Sequence, residues 1–154
     1  MPFIQTRDFG VVSIDATAEI VFPFGIPGFD QQRRFALIGS KAIAPVVLMQ
    51  SSENPSLCFL AIAVSVLDPA YQSGIAREDL RLLGLDEDRQ PRPDEEALYL
   101  AILSPAASGA FTANLLAPVV INVRTRNAVQ AVRHDRQYSH RHPVPRELWE
   151  RICS

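Results

Sequence analysis

Long apolar runs are missing from this chain. The longest, Leu57 to Val64, falls far short of the roughly 18 residues that a membrane-spanning helix needs, so no membrane span is expected. The opening segment Met1 to Gly10 carries Arg7 and Asp8 and no apolar stretch, and no secretory leader is expected there. Cysteine is scarce as well, with two in 154 residues, too few for a disulfide framework. Cys58 lies inside the apolar run, where a thiol behaves as a small hydrophobe, and Cys153 is penultimate. A bridge between them stays open, but two reduced thiols suit the cytoplasmic, soluble protein that these absences describe.

Catalytic signatures are also absent. Gly25 and Gly28 lack the Lys-Ser/Thr of a phosphate loop and do not follow the dinucleotide fingerprint. No Gly-x-Ser-x-Gly elbow occurs. The only metal candidates are His134, His140 and His142, with no acidic ligand between the last two. Metal sites normally gather three or four ligands, and a wet, basic chain segment is the favoured reading. No cofactor, no metal and no catalytic residue are expected.

What is present is a series of short apolar segments separated by turn signals, the pattern of an all-β barrel or sandwich. With 154 residues the chain suits one domain, 1–154, able to bury about two-thirds of its unfolded surface. Strands are predicted over Phe3 to Asp8, Val11 to Ile14, Ala18 to Phe22, Arg34 to Ile38, Val46 to Ser51 and Leu57 to Val64. Later strands are predicted over Ala97 to Leu103, Val119 to Thr125, Ala128 to Arg133 and Gln137 to Arg141. The runs 46–49, 57–64 and 97–103 do not alternate, so they are read as buried on both faces or closed into a barrel. The fold class is therefore mostly β: a compact, barrel-like domain of antiparallel strands with one or two short helices. One helix is predicted over Ala76 to Leu83, with Glu78 and Asp79 suiting the dipole at its start and Gly84 stopping it. Pro145 opens the other, in which Leu148, Trp149 and Ile152 form one apolar stripe. That stripe is expected to dock on the barrel, with Trp149 as a partner anchor the alternative.

The segment Phe111 to Val132 reads as a loop feeding a hairpin. Pro118 fits the first residue of a strand. Val119, Ile121 and Val123 alternate with Val120, Asn122 and Arg124, which predicts a strand with one wet face. Arg126-Asn127 supplies the turn, with Asn as the residue tolerant of positive φ. Asn114 and Asn122 are read as caps for loop backbone groups. Pro23, Pro27 and Gly28 bracket Phe24-Gly-Ile26, predicting a rigid corner with its apolar side chains turned inward, against the alternative of a partner-facing loop.

The residue identities go further. Thr112-Ala-Asn-Leu115, Ala117-Pro118, Ile121-Asn122, Arg126 and Gln130 form one block. Phe22-Pro-Phe-Gly-Ile-Pro-Gly-Phe-Asp30 followed by Phe35-Ala-Leu37 forms a second, and Leu48-Met-Gln-Ser51 with Leu57 to Phe59 and Leu67-Asp-Pro69 a third. In order and spacing these resemble the flagellar assembly factor FliW family across most of the chain. The resemblance implies a cytoplasmic, non-enzymatic protein that binds newly made flagellin, and that also binds and antagonises CsrA, an RNA-binding translational repressor. After Asp68-Pro69 the chain reads Ala70-Tyr-Gln-Ser-Gly74, where the family pattern often carries an acidic-aromatic element.

A net charge of −2 hides an asymmetry. Glu53 to Glu96 holds ten acids against four arginines, and Arg124 to Arg146 six arginines against Asp135 alone. Asp86, Glu87, Asp88, Asp94, Glu95 and Glu96 are read as an extended, exposed loop, a solvated connector in the favoured reading and the candidate surface for a basic partner in the functional one. Arg124, Arg126, Arg133, Arg136 and Arg141, with Tyr138, offer the competing reading of a nucleic-acid-binding β module. A pI near 5.9 disfavours direct nucleic-acid binding. A small-barrel ligand binder or enzyme is the other alternative.

Overall fold

The computed structural model describes residues 3–6, 10–13, 19–39 and 43–153. Asp8, Ile14 and Ala18, at the ends of predicted strands, lie outside the described residues, as does the side chain of Cys153 and with it the pairing of the two cysteines.

Among the described residues, strands β1 (Phe3–Thr6) and β2 (Gly10–Ser13) pair with each other and not with the main sheet. The main sheet is built from β3 (Glu19–Val21), β4 (Arg34–Gly39), β5 (Val46–Ser51), β6 (Cys58–Ala63), β7 (Ala97–Pro105), β9 (Val119–Asn122) and β10 (Ala128–Gln130). Their spatial order is β10-β9-β7-β6-β5-β4-β3, with every neighbouring pair antiparallel. The two ends of this order meet where Val21 bridges Asn127, its N–H donating to Arg126 O at 3.0 Å. The result is a nearly closed seven-stranded barrel. Strand β8 (Phe111–Ala113) branches off the far end of β7 and carries β11 (His142–Pro143).

Alternate residues of these strands enter two separate cores. Ile20, Phe35, Met49, Ala61, Leu100, Val119 and Ala128 fall in one cluster. They supply one residue from each barrel strand, so this cluster is the barrel interior. Ala36, Leu48, Ile62, Tyr99 and Val120 alternate with them and join the other cluster. Val64, Leu80, Leu83, Leu115, Leu148 and Trp149 cover that outer face. Strands flanked by apolar partners on both sides need no polar face, which accounts for the non-alternating runs.

Strand β9 corrects the expected wet face: all four of its residues are buried, Asn122 included at 2% exposure. Asn122 is satisfied instead of solvated. Its Nδ2 donates to Leu83 O at 2.7 Å, and its Oδ1 accepts from Arg124 N at 2.9 Å and Thr125 N. The turn also differs in its strained residue. Arg126, not Asn127, takes the left-handed conformation at φ +67°, because Asn127 is held in the bridge to Val21 that closes the barrel.

Three short helices lie among the described residues. The one-turn α1 (Val64–Leu67) continues directly from the apolar run, taking Val64, the last residue of the strand predicted over Leu57 to Val64. Helix α2 (Arg77–Leu82) starts with Glu78 and Asp79 in its first turn and ends before Gly84 at φ +73°. Helix α3 (Arg146–Cys153) follows Pro145, and Leu148 and Trp149 dock on the outer core. No strand forms over 137–141; those residues bend across Arg133, and pairing begins only at His142.

Candidate functional site

Strand register decides which side chains meet at the mouth of the barrel. Ser104 on β7 pairs with Thr112 on β8, and Gln130 on β10 pairs with the interior residue Val119. By the period of two, Ser104, Thr112 and Asn114 therefore share the interior face with Phe59 and Ile102. Together they line a cleft of about 640 Å³. The other wall is the corner 22–30. Gly25 sits at φ +73°, and a Cβ there would lie 2.6 Å from Asp30 Cα, so only glycine closes this corner. Hydrogen bonds Gly25 N to Phe22 O and Phe29 N to Ile26 O fix it. Ile26 is buried, but Phe24 and Phe29 are 65% and 42% exposed. The inward corner expected from sequence is thus only half correct: Ile26 anchors it and Phe24 points outward. Phe29 meets Phe59 edge to face at 5.6 Å, and Phe59, Phe35 and Phe22 continue a ladder of rings into the interior.

The polar side of the cleft is pre-positioned. Asn114 Oδ1 accepts from Ala117 N at 2.9 Å, and Gln130 Nε2 donates to Ala117 O at 3.1 Å. These two amides hold the loop that delivers Pro118 to β9, as expected for Asn114. His140 and Arg141 stand exposed at the rim. Among the described residues no acidic one lines the cleft.

The acidic segment lies at the opposite end of β7. Ala97 adjoins it and Pro105 adjoins the cleft, a span of about 26 Å at the rise of an extended strand. The expected extended loop is corrected to a turn-rich segment stitched by arginines. Arg89 binds Glu96 through both oxygens, at 2.8 and 2.6 Å, and lies 3.6 Å from Asp86. Arg81 holds Glu87 at 2.8 Å, Arg77 holds Asp88 at 3.2 Å, and Arg92 lies 3.6 Å from Glu95. Asp94 takes φ +67°, and its N–H donates to Ala97 O. Asp86, Asp88, Asp94 and Glu95 are exposed, while Glu87 and Glu96 are half-buried. The hydrogen bond from Arg89, then that from Arg92 N, draws the Glu96 carboxyl down to about 2. Arg81 likewise lowers Glu87.

Arg133 occupies a place that charge alone does not reveal. The competing reading sets it on a phosphate-tracking surface; in the fold it is 6% exposed. Its guanidinium grips Asp135 at 2.8 and 2.9 Å, donates to Gln72 O at 2.6 Å and to Tyr71 OH at 3.1 Å, and lies over the Tyr71 and Tyr138 rings. Tyr138 OH accepts from Gln72 N. This clamp ties 131–138 to 71–74. Burial raises the Tyr71 hydroxyl and pushes that of Tyr99 up to about 12. His134 lies 3.9 Å from Glu78, His140 at the cleft rim and His142 in β11. Among the described residues no three His, Cys, Asp or Glu side chains are grouped to hold a metal, and no helix is long and apolar enough to cross a membrane.

Phe59 belongs to the third family block, while Ile102 carries no signal beyond its place in an apolar run and Ser104, just after that run, carries none. Thr112, Asn114, Gln130 and Phe29 do carry one, since each belongs to the two long family blocks. The fold brings those blocks to one cleft.

Comparison with known proteins agrees with this architecture. The profile of the FliW protein family matches residues 3–144. The flagellar assembly factor FliW of Heliobacterium modesticaldum is 34% identical over 139 residues, covering 90% of this chain and 88% of the relative. That of Bacillus subtilis is 28% identical over 141 residues, covering 92% and 95%. A crystal structure of the flagellar assembly factor FliW superposes with a TM-score of 0.77 at 28% identity, covering 95% of this chain and 99% of the other. The chain belongs to the FliW family and is a flagellar assembly factor.

Proposed function

We propose that this FliW-family protein is a cytoplasmic, non-enzymatic partner switch: it binds flagellin, in a chaperone-like role, and it binds and antagonises the translational repressor CsrA. Flagellin is assigned to the barrel mouth. The observation that supports this most is the convergence of the two family blocks on a cleft with an aromatic wall, Phe29 and Phe59, and exposed Phe24 beside it. An amphipathic helix lays its apolar face into such a groove, and exposed aromatics on a rigid corner make anchors. CsrA, as an RNA-binding protein, must present positive charge to phosphate, and the segment 86–96 offers six acids against two arginines. Asp86, Glu87, Asp88, Asp94, Glu95 and Glu96 are assigned to it on charge complementarity. The same charge opposes direct nucleic-acid binding, and the burial of Arg133 removes one cation from the rival phosphate surface. The whole chain, 1–154, is taken as one functional domain.

In a switch of this kind flagellin in excess holds the protein, and depletion of flagellin frees it to capture the repressor and restore flagellin synthesis. Titrating flagellin into a preformed complex with CsrA should liberate CsrA. A stable ternary complex at saturating concentrations of both partners would contradict the switch.

A further inference from the structure

Starting from the assignment of the barrel mouth as the docking site, we propose that its occupant is a peptide segment carrying an apolar anchor next to a carboxylate, and that Arg141 reads that carboxylate. The cleft is two-sided. Ile26, Phe29, Phe59 and Ile102 give it apolar lining, and the exposed His140 and Arg141 give it a basic rim. Among the described residues neither rim side chain is engaged in an ion pair; Arg141 shares this with Arg33, Arg124, Arg126 and Arg136, but of these only Arg141 lines the cleft. The Arg141 backbone is held in place by its N–H donating to Ser139 Oγ at 2.9 Å. With no acid in the lining among the described residues, a cation beside a low-dielectric wall attracts an anion more strongly than one in open water. Arginine also matches a carboxylate with two parallel hydrogen bonds.

Two amides, Asn114 and Gln130, line the same cleft. Asn114 Oδ1 and Gln130 Nε2 are engaged with Ala117, which leaves Asn114 Nδ2 and Gln130 Oε1 as donor and acceptor for one peptide unit. A purely apolar occupant would leave these amides and the rim cation without partners, and a basic one would meet like charge. An acidic, apolar segment gives partners to the rim cation, the two amides and the apolar lining together.

The test is selection of short randomised peptides against the immobilised full-length chain, with Phe29→Ser as the counter-selected variant. Enriched sequences should combine a large apolar residue with a neighbouring Asp or Glu. A synthetic peptide from the selection should lose about tenfold in affinity for Arg141→Glu, as for loss of one charge-assisted hydrogen bond. Replacing the peptide's acid by Lys should recover binding to that variant, and circular dichroism should show both variants folded. Enrichment of apolar sequences without acids, or binding unmoved by Arg141→Glu, would overturn the carboxylate while leaving the mouth as a docking site. No enrichment over Phe29→Ser would overturn both.

Discussion

Replacing Arg133 by Met keeps the length and apolar stem of the side chain and removes the guanidinium. In the fold that group makes charge-assisted hydrogen bonds to Gln72 O and Tyr71 OH, grips Asp135 and lies over two tyrosine rings. A hydrogen bond to a charged group contributes about 1.5–3 kcal/mol, and breaking a buried pair costs about 3–5 kcal/mol when the remaining charge is trapped. Here it is not trapped. The Asp135 side chain is 45% exposed and Gln72 is exposed, so both rehydrate, and the loss should fall near the low end, about 2–3 kcal/mol. For a chain of this size that is a fall in Tm of about 5–10 °C, or about 1 M in urea midpoint. Arg133→Lys should not restore the midpoint, because a point charge cannot span Asp135 and Gln72 at once. Urea titration followed by fluorescence reads both variants. A shift below about 0.5 kcal/mol, the range of ordinary surface substitutions, would show that the clamp does not hold 71–74 to 131–138.

Two further expectations concern the acidic end. The Glu96 carboxyl titrates at about 2 in the fold against an ordinary 4.5, so its contribution is complete above pH 4.5 and is lost as pH falls towards 2; Glu96→Gln should flatten that part of the urea-midpoint profile, and an unchanged decline would refute the role of the Arg89 pair. Changing the four exposed acids Asp86, Asp88, Asp94 and Glu95 to amides should leave stability within about 0.5 kcal/mol, since Asn tolerates the left-handed backbone at 94. The association rate with CsrA should then fall several-fold at low salt and little at high salt. Equal rates at low salt would make the segment a solvated connector.

Much of the barrel is legible in the residues themselves. The runs 46–49, 57–64 and 97–103 announce strands apolar on both faces, and the two cores show why they do not alternate. Strand β9 misleads because Asn122 and Arg124 mimic a polar face; Asn122 is buried by a hydrogen bond to Leu83, 39 residues distant in sequence, which no local pattern encodes. Strand β8 is three residues long and its partner β11 comes from the far end of the chain, so period-2 reading finds neither. At the candidate site the family blocks mark Phe29, Thr112, Asn114 and Gln130. The third block also contains Phe59, but no block marks Ile102 or Ser104, which reach the cleft only through strand register. Arginine is the least legible residue of all: Arg133 and Arg141 look alike in sequence, yet one is a buried clamp and the other a free-standing rim cation because only Arg133 has Asp135, Gln72 and two tyrosines folded around it.

Amide hydrogen exchange of the protein alone and saturated with flagellin addresses the barrel mouth most directly. Protection on binding should concentrate in 24–30, 104–114 and 138–141, with 86–96 unchanged at the other end of β7. Protection confined to 86–96, or spread evenly with none at the mouth, would contradict the assignment.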